Sequence, residues 1–269
     1  MTLPPQPRAD GSARVVAKRA GGRTRLADLY ERGSAKIRLP RVEGDALHAV
    51  VLNTAGGVTG GDRFAYAAEA GPGARLTLAT QTAERAYRAQ PDETGRIAVS
   101  LSVGDGARLE WLAQETILFD RCALRRTIDV DMAEGATLLL VEPVVLGRQA
   151  MGETVQSGFF SDFQRIRRGG RLVYADATRL AGAVAAQAAR PAALGPNRAW
   201  ASIVYVAPDA EERLDEARSL IAGGEGGASA FDGLISARMV SSDGQELRRR
   251  LLRFLAGFRV DPPPRVWEM

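Results

Sequence analysis

Short apolar runs, many alternating with polar residues, recur along most of the chain and predict strands at Leu47–Leu52, Phe64–Ala68, Leu76–Thr82, Ile97–Val103, Leu109–Gln114, Thr127–Met132, Thr137–Leu146, Leu172–Thr178 and Ala199–Val206. Helical periodicity is confined to the end. Asp209–Ile221 places Leu214, Ala217 and Ile221 on one face, with Asp209 and Glu212 spaced as a capping pair. Gln245–Phe258 repeats Leu247, Leu251, Phe254, Leu255 and Phe258 as a helical stripe. Gly223–Ala228 between them is expected to be a flexible joint. The alanine-rich stretch Ala181–Ala193 leaves a short helix and a sheet excursion both open. Pro262-Pro263-Pro264 ends the periodic part, and Trp267 is expected to pin the tail. Residues 1–12, with Pro4, Pro5 and Pro7, are expected to form a disordered lead-in to a single domain over 13–269.

An internal echo organises these strands. Gly73-Ala-Arg-Leu76, Gly106-Ala-Arg-Leu109, Gly135-Ala-Thr-Leu138 and, more loosely, Gly170-Arg-Leu172 place successive leucines 33, 29 and 34 residues apart. A recurrence of this length marks a repeated supersecondary unit. Each unit holds at least two strands and, up to about residue 180, no convincing helix. The fold class that follows is mainly β, stacked β layers in a β-helix-like or sandwich arrangement, the β-helix-like stack of strands being the one expected here, with two α-helices near the C-terminus.

Composition narrows the chemistry. Lys and Arg number 36 against 32 Asp and Glu, a net charge of +4, and the few aromatics are not interleaved with basic residues. The stacking platform of a single-strand nucleic-acid binder is therefore missing. Arg248-Arg249-Arg250 and Arg253 cluster on the last helix, where an acidic protein partner or plain solvation would suit them. No apolar run is long enough to span a membrane, and the N-terminus lacks the apolar segment of a signal peptide. The single cysteine, Cys122, allows no internal disulfide and fits a reducing cytoplasm. One histidine, His48, sits in a strand pattern and is expected to be structural. One thiol and one imidazole do not make a tight zinc or nickel site, so any metal handled elsewhere meets mainly oxygen ligands.

The run Asn53-Thr-Ala-Gly-Gly-Val-Thr-Gly-Gly-Asp62 follows a strand and concentrates Gly56, Gly57, Gly60 and Gly61. A phosphate loop would need Gly-Lys-Ser/Thr after the last glycine, and Asp62 stands there instead. A dinucleotide loop would open a helix, whereas a strand and a turn follow. Two readings remain, a tight β-corner and a rigid mount that presents Asp62. Carboxylates also interrupt apolar strands at Glu84, Glu115, Glu142 and Asp176. Buried charge is costly unless paired or hydrated, so these residues point to ion pairs, such as Glu84 with Arg85 or Arg88 and Glu115 with Arg121, or to a hydrated internal path. A carbohydrate-active β-helix enzyme using paired carboxylates is the catalytic alternative. No Ser-His-Asp or Cys-His grouping is persuasive.

The segments Leu52–Asp62, Leu78–Arg88, Trp111–Phe119, Glu142–Gly152 and Gly170–Asp176 resemble, in order, the urease accessory protein D family, called UreD or UreH. The resemblance runs from about residue 12 to the C-terminus. It implies a non-catalytic maturation factor with no tightly bound cofactor. Its partners would be the urease apoprotein, UreF and the GTPase UreG, in an assembly that delivers nickel after carbamylation of an active-site lysine. It also implies a β-rich stack with an internal water-filled tunnel. Carried to this sequence, Asp62, Glu115, Glu142 and Asp176 would bind nickel transiently, weakly enough to let it leave. The C-terminal helices, through Arg248, Arg249, Leu251, Phe254 and Phe258, would meet UreF.

Overall fold

The computed structural model describes residues 7–268. Strand β1 (Asp10–Ala20) pairs with β2 (Arg23–Gly33), and β3 (Ala35–Arg38) with β4 (Leu47–Asn53). The chain then coils through β5 (Arg63–Ala70), β6 (Arg75–Thr80), β7 (Glu84–Ala86), β8 (Gly95–Val103), β9 (Arg108–Leu112), β10 (Thr116–Leu118), β11 (Ala123–Met132) and β12 (Thr137–Leu146). After these come β13 (Gly158–Arg168), β14 (Arg171–Gly182), the one-turn α1 (Val184–Ala188), β15 (Ala199–Val206), α2 (Leu214–Ile221), β16 (Gly226–Phe231), β17 (Leu234–Ser241) and α3 (Gly244–Phe258).

Two sheets face each other. The first runs β14-β13-β11-β8-β5-β1-β2 and is parallel from β13 to β1, with an antiparallel strand at each edge. The second runs β16-β17-β15-β12-β9-β6-β4-β3, parallel from β12 to β4. Because parallel strands cannot be joined by a tight hairpin, each coil crosses from the first sheet to the second and returns through a narrow third face. On that face Val58, Ala86, Leu118 and Leu146 stack in register, all buried.

The three full echoes are the corners from first sheet to second. Ala74, Ala107 and Ala136 are buried at these corners, and Leu76, Leu109 and Leu138 align as cross-strand partners behind them. Gly73 and Gly106 take φ of 66° and 61°, which a side chain would strain. The looser fourth echo, Gly170-Arg-Leu172, lacks the alanine. It is the turn between β13 and antiparallel β14 within one sheet.

Burial follows from layering. Strand β8 alternates strictly between buried and exposed residues because only one face of the first sheet is covered. β15 is buried at every position because α2 and α3 cover the outer face of the second sheet while the first sheet covers the inner one.

Several expectations are corrected. Asp10–Ser12, placed in the lead-in, already belong to β1, and residues 1–6 lie outside the described residues. Helix α2 starts at Leu214, not Asp209, because the Asp209 carboxylate accepts the Tyr205 hydroxyl (2.8 Å) instead of capping an amide. The cap that does form belongs to α3, where Asp243 accepts the Glu246 amide at 2.9 Å. Gly226–Ala228, read as joint, are the start of β16. The alanine-rich stretch resolves into the end of β14 and α1.

Candidate interior site

The space between the sheets is apolar at the echo corners and polar at the opposite end. Strand alternation explains the polar end. Arg126 lies on the inward face of β11 with Leu124 and Ile128, and its register partner on β13 is Asp162, between inward-facing Phe160 and Gln164. Arg126 holds Asp162 bidentately (Nε–Oδ1 2.9 Å, Nη2–Oδ2 2.7 Å) and donates to the Thr116 hydroxyl at 3.0 Å. Its Nη1 also forms an ion pair with Glu142 of β12, whose other oxygen accepts the Trp111 indole N–H at 2.7 Å.

One guanidinium thus faces two buried carboxylates. Burial works against the charge of Arg126, but Asp162 and Glu142 outweigh it and hold its pKa above the ordinary value. For Glu142 burial dominates over the pull of Arg126, and Asp162 pushes the same way, so its pKa is raised to about 7. Glu84 is also raised, chiefly by burial, against stabilising bonds from the Asn53 amide at 3.1 and 3.3 Å and the Arg85 backbone N–H at 3.0 Å. A polar end of this kind can take up protons near neutrality and solvate a cation with oxygens.

These groups line a cavity of about 70 Å³, room for several waters. Tyr66, Thr80, Glu84, Trp111, Thr116, Arg126 and Glu142 are on its wall, together with Gly56 of the glycine corner. Outside, a groove of about 660 Å³ runs past Glu115, Arg148 and Arg248, and the two spaces share Thr82, Ala83 and Gln114. Gln114 braces that wall. Its amide donates to the carbonyls of Thr80 (2.9 Å), Gln81 (3.0 Å) and Val266 (3.0 Å) and accepts from Arg248 at 2.9 Å.

Of the four carboxylates selected from sequence, only Glu142 faces this cavity. Glu115 lies in the outer groove and pairs with Arg248 (3.2 Å), not with Arg121, which pairs with Asp120. Glu84, expected to pair with Arg85 or Arg88, forms no ion pair among the described residues and is held instead by the Asn53 amide and the Arg85 backbone N–H. Asp176 pairs with Arg238 of β17 at 2.5 Å. Asp62 is buried, and its two oxygens accept the backbone amides of Ala9 (2.7 Å) and Thr59 (2.8 Å), fastening β1 to the glycine corner. In that corner Gly56 and Gly61 have φ of 79° and 86°, and a Cβ on Gly57 would fall 2.2 Å from the Tyr87 ring.

The helix residues are corrected as a surface. Leu251, Phe254 and Phe258 are 0%, 1% and 1% exposed, packed on the second sheet. Arg250 is spent on the carbonyls of Val240, Ile221 and Glu225, and Arg248 on Gln114, Glu115 and Trp267. Arg249 alone of the named set is well exposed, beside Glu246. His48 is half-buried, and burial lowers its pKa. Burial pushes the Cys122 thiol up to about 12, which leaves it unreactive. Among the described residues no three His, Cys, Asp or Glu side chains group as a metal-binding set.

Sequence reasoning missed Arg126, Asp162 and Gln114 as parts of the site. The signal was present for Arg126: alternation in Leu124-Arg-Arg-Thr-Ile128 puts it on the apolar face.

Residues 9–268 match the family model described as UreD urease accessory protein. A protein of Rhizobium leguminosarum bv. trifolii is 49% identical over 263 residues, 97% of this chain and 96% of its own. One from a Methylobacterium species is 53% identical over 256 residues, 93% and 90% of the two chains, and one from Azorhizobium caulinodans is 45% identical over 268 residues, 99% and 98%. All three are urease accessory proteins UreD. With near-complete coverage at this identity, the chain belongs to the UreD family of urease accessory proteins.

Proposed function

We propose that this chain acts in the cytoplasm as a non-catalytic scaffold of urease maturation, binding the urease apoprotein together with UreF and UreG, and that its polar interior passes nickel toward the urease active site. Membership of the family supports the role in urease maturation. The observation that carries the nickel reading is the polar cavity between the sheets, where Glu84 and Glu142 with neutral oxygens share the wall with Arg126 and Arg85, next to a groove that shares its wall. Oxygen ligands bind a borderline ion weakly, and weak sites let it move on. Nickel here is cargo, so a complete ligand cage is not required. No helix among the described residues is long and apolar enough to cross a membrane.

The catalytic alternative finds no support in the geometry. Glu142 and Asp162 are both held by Arg126, and of the two only Glu142 is on the cavity wall, so they do not face a substrate as a free pair. Co-expression of the tagged chain with urease apoprotein, UreF and UreG, followed by affinity purification, tests the scaffold. The expected result is recovery of all three partners in fixed ratio. Recovery of the chain alone, well folded and soluble, would overturn the proposal.

A further inference from the structure

The outer face of the first sheet carries a row of arginines set side by side. Arg63, Arg96 and Arg125 are direct register partners on β5, β8 and β11, and the row continues through Ser161 of β13 to Arg179 of β14. All four arginines are exposed, and none forms an ion pair among the described residues. Asp10, which would extend the row on β1, is taken by Arg32. Strands lie about 4.8 Å apart, so three guanidinium-bearing positions fall within about 10 Å. Like charges directly opposite one another destabilise a sheet. Among the described residues no carboxylate pairs with these arginines; Arg125 and Arg179 only flank Phe159, each 5.9 Å from its ring.

We infer that this row is a docking surface for an acidic helix of a protein partner, whose carboxylates repeat along one face. Carboxylates at i and i+3 or i+4 of a helix lie about 5 to 6 Å apart, which matches the strand spacing across the row. Beyond the row lie small side chains, Ala65 and Ala98, over which a helix can lie flat. A nucleic acid is disfavoured by the same face. At the far ends of these strands stand Glu69 and Asp131, in one line through Ser102 that ends on Arg167, about 20 Å from the arginines. A phosphate backbone following the strands would meet them, while a helix laid across the strands would not. The inference does not depend on nickel passage.

The test uses a helical peptide of about 20 residues with glutamates on one face at i, i+3/i+4 spacing, followed by fluorescence anisotropy against the full chain. Binding is expected, weakening as salt rises, and the double variant Arg96→Gln/Arg125→Gln should lose at least roughly tenfold in affinity. The melting temperature of that variant should be equal to or above that of wild type, because repulsion is relieved. Equal binding by wild type and variant would overturn the inference, as would equal binding of a peptide with the same glutamates scattered round the helix. Tighter binding of a single-stranded oligonucleotide would also overturn it, by making the row a nucleic-acid surface.

Discussion

Replacing Arg126 with methionine is expected to lower the unfolding free energy by about 3 to 5 kcal/mol, because it removes the one cation shared by two buried carboxylates. For a chain of this size that is a fall of roughly 10 °C in melting temperature. Adding Glu142→Leu and Asp162→Leu to the same chain should regain most of the loss, since an apolar set avoids the cost of burying unpaired charge. A single variant that costs under about 1 kcal/mol would show that the network is not holding the sheets together.

The same network gives a pH signature. The pKa of Glu142 in the folded protein, about 7, lies above its ordinary value of 4.5. The folded state therefore holds more protons between those values, and the stability this group contributes is complete below the lower one and lost as pH rises through the upper. His48, with its pKa lowered, acts in the opposite direction. Burial draws Glu110 upward, but Arg259 and Arg108 outweigh it, so its contribution is lost only on acidification below the ordinary carboxylate range. The Glu142 term is isolated by comparing urea unfolding of wild type and Glu142→Gln at pH 5 and pH 8. Wild type should lose more stability than the variant over that interval.

The second large effect is expected at the tail. Trp267 is fully buried against the second sheet, donates its indole N–H to the Leu112 carbonyl at 3.1 Å and accepts Arg248 on its own carbonyl at 2.8 Å. Trp267→Ala should cost about 3 to 5 kcal/mol. The change should also be local: Val266 and Arg248 both brace Gln114, so amide exchange should rise at residues 114 and 259–268 before the rest of the fold. Trp267→Phe, which keeps most of the packing but loses the donor, should cost clearly less. Equal losses from the two variants would place the effect in the hydrogen bond rather than in burial.

Much of this architecture was legible because the echo corners are local. Gly-Ala-x-Leu states a turn, a buried small residue and a ladder leucine within four positions, and the alternating strands follow. The elements that were missed have physical reasons. Strand β2 is solvated along nearly all its length, so it has no apolar face to read. Strand β13 was missed because its inward line, Phe160, Asp162, Gln164 and Ile166, is broken by two polar residues. Those polar residues belong to the interior site, so the site itself concealed the strand that carries it. The C-terminal arginines misled for a related reason. Helical periodicity puts Arg248 and Arg250 on the two borders of the apolar stripe, but cannot show that a tail and a neighbouring loop fold back to supply carbonyls for them.

The proposed passage of nickel through the interior is tested at Ala83, a half-buried residue on the wall shared by cavity and groove. Ala83→Trp should block that wall without entering the core. The measurement is nickel per urease active site after maturation with the variant chain, alongside recovery of the assembly on affinity purification. The expected result is an assembly recovered as with wild type and urease that is largely empty of nickel. Full nickel loading with the wall blocked would contradict it.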